Sequence, residues 1–363
     1  MATWMVGTRK GLFFLRDDTI VDVQFVGEPV TAVLADPRDD TVYVALNHGH
    51  FGQKLHRSTD AGATYVEIAA PMYPPKPDDV IDLEPMRQIP VPWSVELIWS
   101  LEAAHPDEPG AVWCGTIPGG LFYSPDRGES WKIMESLWRD ERRARWTGGG
   151  YDYPGIHSIA VDPRAPGSVL VSVSCGGAWR TSDGGVTWDV TTGMRNSYMP
   201  PELEYDPVSQ DPHRTVRAPS APDVLWTQHH NGVFRSTDGG ATWQELEVPP
   251  SSFGFAVTVD PHDADTAWFV SAVKDEMRIP VDGALAVSRT RDGGQTFEVL
   301  RSGLPQLNAY HLIYRHALDV SADGESLMMG STTGSLFASD DKGDNWRRLT
   351  ADLPPIAVVR SMH

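Results

Sequence analysis

An eight-residue turn recurs six times along this chain, and a turn repeated at near-constant spacing is the mark of a radial array of β modules. The copies are STDAGATY (Ser58 to Tyr65), SPDRGESW (Ser124 to Trp131), TSDGGVTW (Thr181 to Trp188), STDGGATW (Ser236 to Trp243), TRDGGQTF (Thr290 to Phe297) and SDDKGDNW (Ser339 to Trp346). All fit Ser/Thr-x-Asp-x-Gly-x-Thr/Ser/Asn-aromatic, with Asp60, Asp126, Asp183, Asp238, Asp292 and Asp341 spaced 49 to 66 residues apart. Each position has a mechanical reason. An Asp carboxylate accepts backbone N–H groups of its own turn. The Gly supplies a positive φ that a side chain resists. The aromatic opens the next strand and buries a large apolar area.

The sequence between the turns reads as strands. Before a turn stand GGLFYS, GGAWRTS, NGVFRS and GSLFAS; upstream of those come AVWCGT, VLVSVS, DVLWTQ and SLMMGS. Further upstream lies an apolar run closing on Pro, as in AVLADP, SIAVDP and AVTVDP, ending at Pro37, Pro163 and Pro261. Four short strands per period predict a propeller blade. The N-terminal WMVGTRKGLFFL fits the second and third strands of a further blade, and the C-terminal IAVVRSMH fits its missing first strand. The expected fold is therefore all-β: one domain over 1–363, a seven-bladed propeller whose blade 1 closes by pairing the chain's two ends, which removes open sheet edges.

Composition narrows the function. The net charge of −19 opposes nucleic-acid and anionic-membrane partners. No apolar run is long enough to span a bilayer. The N-terminus has no secretory pattern, and two cysteines, Cys114 and Cys175, are too few for a disulfide framework. A cytoplasmic protein is the expectation, with both cysteines packed as small apolar residues in strands.

Loop lengths predict which side carries the chemistry. Links such as DPRDD, DPRAPGS and DPHDAD, beside the repeated turns, are short. Residues 70–93, 135–155, 196–211 and 274–283 form long insertions on the opposite side, and long loops on a rigid scaffold usually carry function. Their aromatic residues include Tyr73, Trp93, Trp138, Trp146, Tyr151, Tyr153, Tyr198 and Tyr205. These read either as packing within the loops or as platforms for a sugar or aryl ring. Arg139, Arg142, Arg143 and Arg145 read as a solvated helical turn.

First strands aligned on their closing Pro begin with His three times: His157, His213 and His316. The second-to-third-strand links add His48, His50, His229 and His230. If all approach one axial pocket, they suit a divalent transition metal such as Zn or Mn, or a proton-transfer site. His157, His213 and His230, on adjacent blades 4 and 5, are the predicted metal trio. Arg315, Arg278 and Arg9 are expected to hold a carboxylate. Glu202, Glu204, Asp152, Tyr151 and Glu84 are the acid–base candidates, with Glu204 and Tyr151 foremost. His48, His316, Trp146 and Tyr205 complete the expected substrate contacts.

The six turns resemble the Asp-box (BNR) repeats of sialidases, xyloglucan-cleaving glycosidases, sortilin-type receptors and a photosystem assembly propeller. The resemblance covers nearly the whole chain and implies that the Asp-box carboxylates are structural, away from the catalytic face. Sialidases clamp a carboxylate with three Arg and carry an Arg-Ile-Pro motif before their first Asp box. Here Arg278-Ile279-Pro280 lies between the fourth and fifth boxes, and seven blades replace the sialidase six. Some pectin-type lyases are seven-bladed propellers with a His-bound axial metal. The expected function is thus a hydrolase or lyase for a small, anionic, sugar-like or aryl substrate; its rival is a noncatalytic propeller that docks a protein partner.

Overall fold

In the computed structural model, which describes residues 3–362, the chain folds into seven four-stranded sheets, the blades of an all-β propeller. Numbered along the chain, blade 1 takes 3–24 with 356–361, and blades 2 to 7 take 30–68, 97–133, 156–190, 212–246, 254–300 and 318–350. The C-terminal strand Ile356–Ser361 supplies the first strand of blade 1, pairing antiparallel with Thr3–Thr8 from Trp4↔Ser361 to Gly7↔Val358. Ile356, Val358 and Val359 are buried there.

The chain divides into two compact units. One comprises the chain through Ala35, His213–Gly239 and the stretch from Gln244 onward; the other comprises Asp36–Pro212 with Gly240–Trp243. In the first, Ile356–Ser361 packs between Val30–Ala35 and Leu318–Val320, and its Val359 N–H donates to the His316 carbonyl at 2.8 Å. In the second, Trp146, Trp179, Ile156 and Val171 belong to a core that joins blades 3 and 4.

The repeated turns work as their residue types require, with one part that the sequence reading did not assign. The Ser58 hydroxyl donates to Asp60 Oδ1 at 2.6 Å and accepts the Gly62 N–H at 2.8 Å. Asp60 in turn accepts the Thr64 N–H and hydroxyl at 2.8 and 2.6 Å. The first-position hydroxyl is therefore the centre of the turn. The same bonds recur around Asp126, Asp183, Asp292 and Asp341. The glycines also stitch blades together: a Cβ on Gly128 would stand 2.5 Å from Ile68 Cδ1, and one on Gly294 2.5 Å from Leu246 Cδ1. The aromatics do the same, with Trp188 Nε1 donating to Ser136 Oγ at 3.1 Å and Trp243 Nε1 to Thr191 Oγ1 at 3.0 Å. Blade 1 needs no such turn. Its third and fourth strands close directly through Asp17 and Asp18, both at positive φ (48° and 61°), a tight hairpin.

These bonds fix an acid dependence. Asp60, Asp183 and Asp292 are held down to about 2, chiefly by hydroxyl donors: Ser58 for Asp60, Thr187 for Asp183 and Thr296 for Asp292. A carboxyl lowered in the fold adds stability above its unfolded value of about 3.9 and loses it as pH falls toward the folded value. The triple replacement of these aspartates by Asn is expected to lower Tm at neutral pH and flatten the fall in Tm between pH 4 and 2. An unchanged slope in that window would contradict the assignment.

The cysteines divide. Cys114 is buried within Val112–Ile117 as expected, whereas Cys175 is half-buried in a tight turn at φ 51°. Among the described residues no helix is long and apolar enough to cross a membrane.

Candidate functional site

The first strand carries a bulge near its start in several blades, and three of these bulges bear on the site. Register against the second strand slips at Trp99 (Ile98↔Thr116, then Ser100↔Gly115), at His157 (Ile156↔Val173, then Ser158↔Ser172) and at Phe255 (Gly254↔Ser271, then Ala256↔Val270). A bulge leaves its residue outside the ladder and re-aims the side chain.

In the unit that contains His213, Phe255 is the floor of a cluster. The His213 imidazole stacks on it, with centroids 4.4 Å apart at 8°. The guanidinium carbons of Arg278 and Arg315 each stand 5.2 Å from the Phe255 ring centre, and Tyr314 meets it edge-on at 5.2 Å. His230 packs edge-on to His213 at 5.2 Å, and Phe253 contacts both imidazoles. Three of the predicted residues, His213, Arg278 and Arg315, therefore meet at one ring, and a fourth, His230, packs on His213 beside it.

The protonation pattern follows from the partners. His213 Nδ1 lies 2.6 Å from the Gly254 carbonyl, which accepts only, so Nδ1 carries the hydrogen and Nε2 is the basic atom. Arg278 loses by burial, but Asp275 and the Tyr314 hydroxyl more than offset this and hold its pKa above the ordinary value. Asp275 Oδ1 accepts from Arg278 Nε at 3.0 Å.

His157 is a correction to the predicted metal trio. It is fully buried, with Nε2 donating to the Pro212 carbonyl at 2.7 Å and Nδ1 2.9 Å from Ser158 Oγ, so both nitrogens serve the protein. The expected gathering of seven histidines is corrected too. His229 is buried edge-on to Phe234 inside its blade, and His50 is exposed beside Phe51. His48 begins the short turn Gly49–Phe51. His316 is tied into the blade 1 seam, its Nδ1 3.1 Å from Arg360 Nη2. Arg9 is exposed, with its N–H donated to Pro355.

Several loop residues in the Asp36–Pro212 unit are packing rather than platforms. Trp146 is only 2% exposed and meets Trp179 edge-on at 5.4 Å, which corrects its assignment as a substrate contact. Tyr73, Trp93 and Trp138 form a loop core capped by Arg143, whose guanidinium carbon is 4.0 Å from the Trp138 ring and whose Nη2 pairs with Asp82 at 2.8 Å. The predicted solvated arginine turn is thus a set of latches: Arg142 to Asp140 and Trp179, Arg145 to Asp206. Glu84 is wholly buried, accepting the Arg87 and Gly148 N–H groups, which fits anchoring rather than catalysis. Glu204 pairs with Arg195 at 3.2 Å, and Tyr205 is exposed. Tyr151 is half-exposed, its ring 5.2 Å from Trp99, which in turn meets His157 at 5.4 Å.

Sequence reasoning missed Phe255, Phe253, Tyr314 and Trp99, together with the irregular stretch 301–317 that brings Tyr314 and Arg315 to the cluster. One signal was available. Phe255 stands six residues before Pro261, the register in which His157 precedes Pro163 and His213 precedes Pro219.

The comparisons agree with this architecture. The family model for the BNR/Asp-box repeat matches residues 234–245. Xyloglucanase Xgh74A of Acetivibrio thermocellus is 28% identical over 280 residues, 67% of this chain and 30% of that protein. The oligoxyloglucan-reducing end-specific xyloglucanase of Emericella nidulans is 29% identical over 154 residues, 42% of this chain and 16% of that one. The chain spans less than a third of the length of these relatives. Among solved structures, an ancestral GH74 enzyme superposes at TM-score 0.60 and 16% identity, covering 95% of this chain and 39% of that one. YCF48 from Cyanidioschyzon merolae superposes at 0.55 and 14% identity, covering 97% and 90%. Both structural likenesses are of fold.

Proposed function

We propose that this Asp-box repeat propeller is a hydrolase of saccharides and that its reaction centre is the cluster on Phe255. The observation that carries the reading is the meeting of His213, Arg278 and Arg315 at that ring, with His230 packed on His213. The xyloglucanase relatives supply the substrate class and the bond type. In this reading His213 Nε2 takes a proton from the attacking water as its oxygen bonds to the anomeric carbon. The glycosidic C–O bond breaks, and His230 returns a proton to the leaving oxygen. Arg315 and Arg278 orient a carboxylate on a small anionic sugar, and Phe253 and Phe255 exclude water.

The paired imidazoles of His213 and His230 also suit Zn or Mn. Such an ion would polarise a sugar oxygen or lower the pKa of a bound water. His213 would then serve as a ligand, with Gly254 fixing its tautomer. A cytoplasmic setting and single-domain behaviour belong to the same proposal.

A second reading has its own support. Met72, Ile81 and Met86 are 81%, 85% and 71% exposed on the single loop 70–93, an apolar display suited to docking a protein. One experiment separates the two. Purified protein is incubated with neutral xyloglucan oligosaccharides and with uronate-bearing oligosaccharides, the products are weighed by mass spectrometry, and bound metals are measured by elemental analysis. The hydrolase reading expects shortened saccharides, with the uronate series cleaved faster. No product from either series would leave the docking reading standing.

A further inference from the structure

We infer that Tyr151, backed by Trp99, is the platform of a neutral-pyranose subsite in the Asp36–Pro212 unit. The stretch 147–155 reads TGGGYDYPG, and flexible glycines would ordinarily let such a segment wander. Here it is pinned at both ends. The buried Glu84 carboxylate accepts the Gly148 N–H at 3.0 Å, and Arg87 Nη1 donates to the Gly148 carbonyl at 3.0 Å. At the far end, Gly155 lies flat on the indole: a Cβ there would stand 2.5 Å from Trp99 Cε3 and 2.5 Å from Ile117 Cγ1. A Cβ on Gly148 would stand 2.4 Å from the Asp152 carbonyl. Burying a carboxylate is costly unless it is fully hydrogen-bonded, so Glu84 is a substantial device for fixing one short loop.

The fixed loop presents an aromatic ring. Tyr151 meets Trp99 at 5.2 Å and 76° yet stays 48% exposed. Trp99 is held by its bulge and by His157. Asp152, next in sequence to Tyr151, and Arg87, which holds the Gly148 carbonyl of the same loop, are 76% and 39% exposed and 3.9 Å apart. A rigid aromatic surface, with an exposed carboxylate and guanidinium paired on the loop that carries it, complements a molecule with an apolar C–H face and peripheral hydroxyls, which is a pyranose ring. Asp152 offsets the charge of Arg87, which favours a neutral sugar here, in contrast to the two guanidiniums at Phe255.

The inference takes its ligand class from the saccharide reading above, so its test measures binding instead of cleavage. A neutral xyloglucan heptasaccharide is titrated into the protein by calorimetry, with tryptophan fluorescence as a second readout. Tyr151→Ala is expected to weaken binding about tenfold, the loss of one ring contact, and Tyr151→Phe to change it less than about twofold. Asp152→Asn is expected to weaken it several-fold. Equal affinity in wild type and Tyr151→Ala overturns the inference, as does a wild type that cleaves a saccharide but does not bind this one at millimolar concentration. Binding with the predicted losses but without cleavage of any saccharide supports the subsite and removes the hydrolase reading.

Discussion

A chain ended at Pro355 is expected not to fold cooperatively. Removing Ile356–Ser361 takes away the first strand of blade 1, with the buried Ile356, Val358 and Val359 and the ladder to Thr3–Thr8. Burying an aliphatic side chain of this size contributes about 1.5–3 kcal/mol, so three of them approach the whole net stability of a typical domain, about 5–15 kcal/mol. The loss also uncovers Trp4 and Met5 and opens a sheet edge that invites aggregation. Circular dichroism melts and size-exclusion chromatography would read the outcome. Val359→Asp, which keeps the chain length, is expected to lower Tm strongly for the same reason. A truncated chain that melts cooperatively at the wild-type temperature would mean that closure by the two ends does not stabilise the fold.

His213→Ala is expected to lower saccharide turnover by about 10²–10⁴-fold, the usual contribution of a positioned acid–base group. Because His213 is buried and bonded to Gly254, this variant also loses some stability, so a second variant is needed. Arg315→Gln keeps the size and a hydrogen-bonding tip but removes the charge. It is expected to raise KM for uronate-bearing substrates about tenfold or more, with a smaller effect on neutral ones. Equal losses on both substrate classes would remove Arg315 from carboxylate recognition.

The fold was legible because its signals are local. Within one Asp box, Ser58, Asp60, Gly62 and Thr64 satisfy each other inside a seven-residue span, so an eight-residue window of sequence contains the whole device. The closure of blade 1 was readable because both ends carry strand patterns and each lacks a partner. The site was only partly legible. His213, His230, Arg278 and Arg315 were found by asking which polar residues a blade's topology sends to its long-loop side.

The residues that join them were not found, for physical reasons. Phe255 is apolar and reads as ordinary strand core, and nothing local announces that a bulge turns it toward His213. Tyr314 lies in a stretch with no strand or helix periodicity. Trp146 and His157 failed in the opposite direction. Their residue types suggest binding, but long loops need a core of their own and buried imidazoles need partners; Trp179, Ser158 and Pro212 met those needs. Reading the six-residue offset before the closing Pro across all blades, regardless of polarity, would have recovered Phe255.

The central proposal is that a saccharide is cleaved against Phe255, and a crystal of the His213→Ala variant soaked with an uncleaved oligosaccharide tests it most directly. The sugar is expected within hydrogen-bonding reach of Arg315 or Tyr314, with its scissile linkage facing the vacated position 213. A saccharide found only beside the Asp-box turns, or no bound saccharide at saturating concentration, would contradict it.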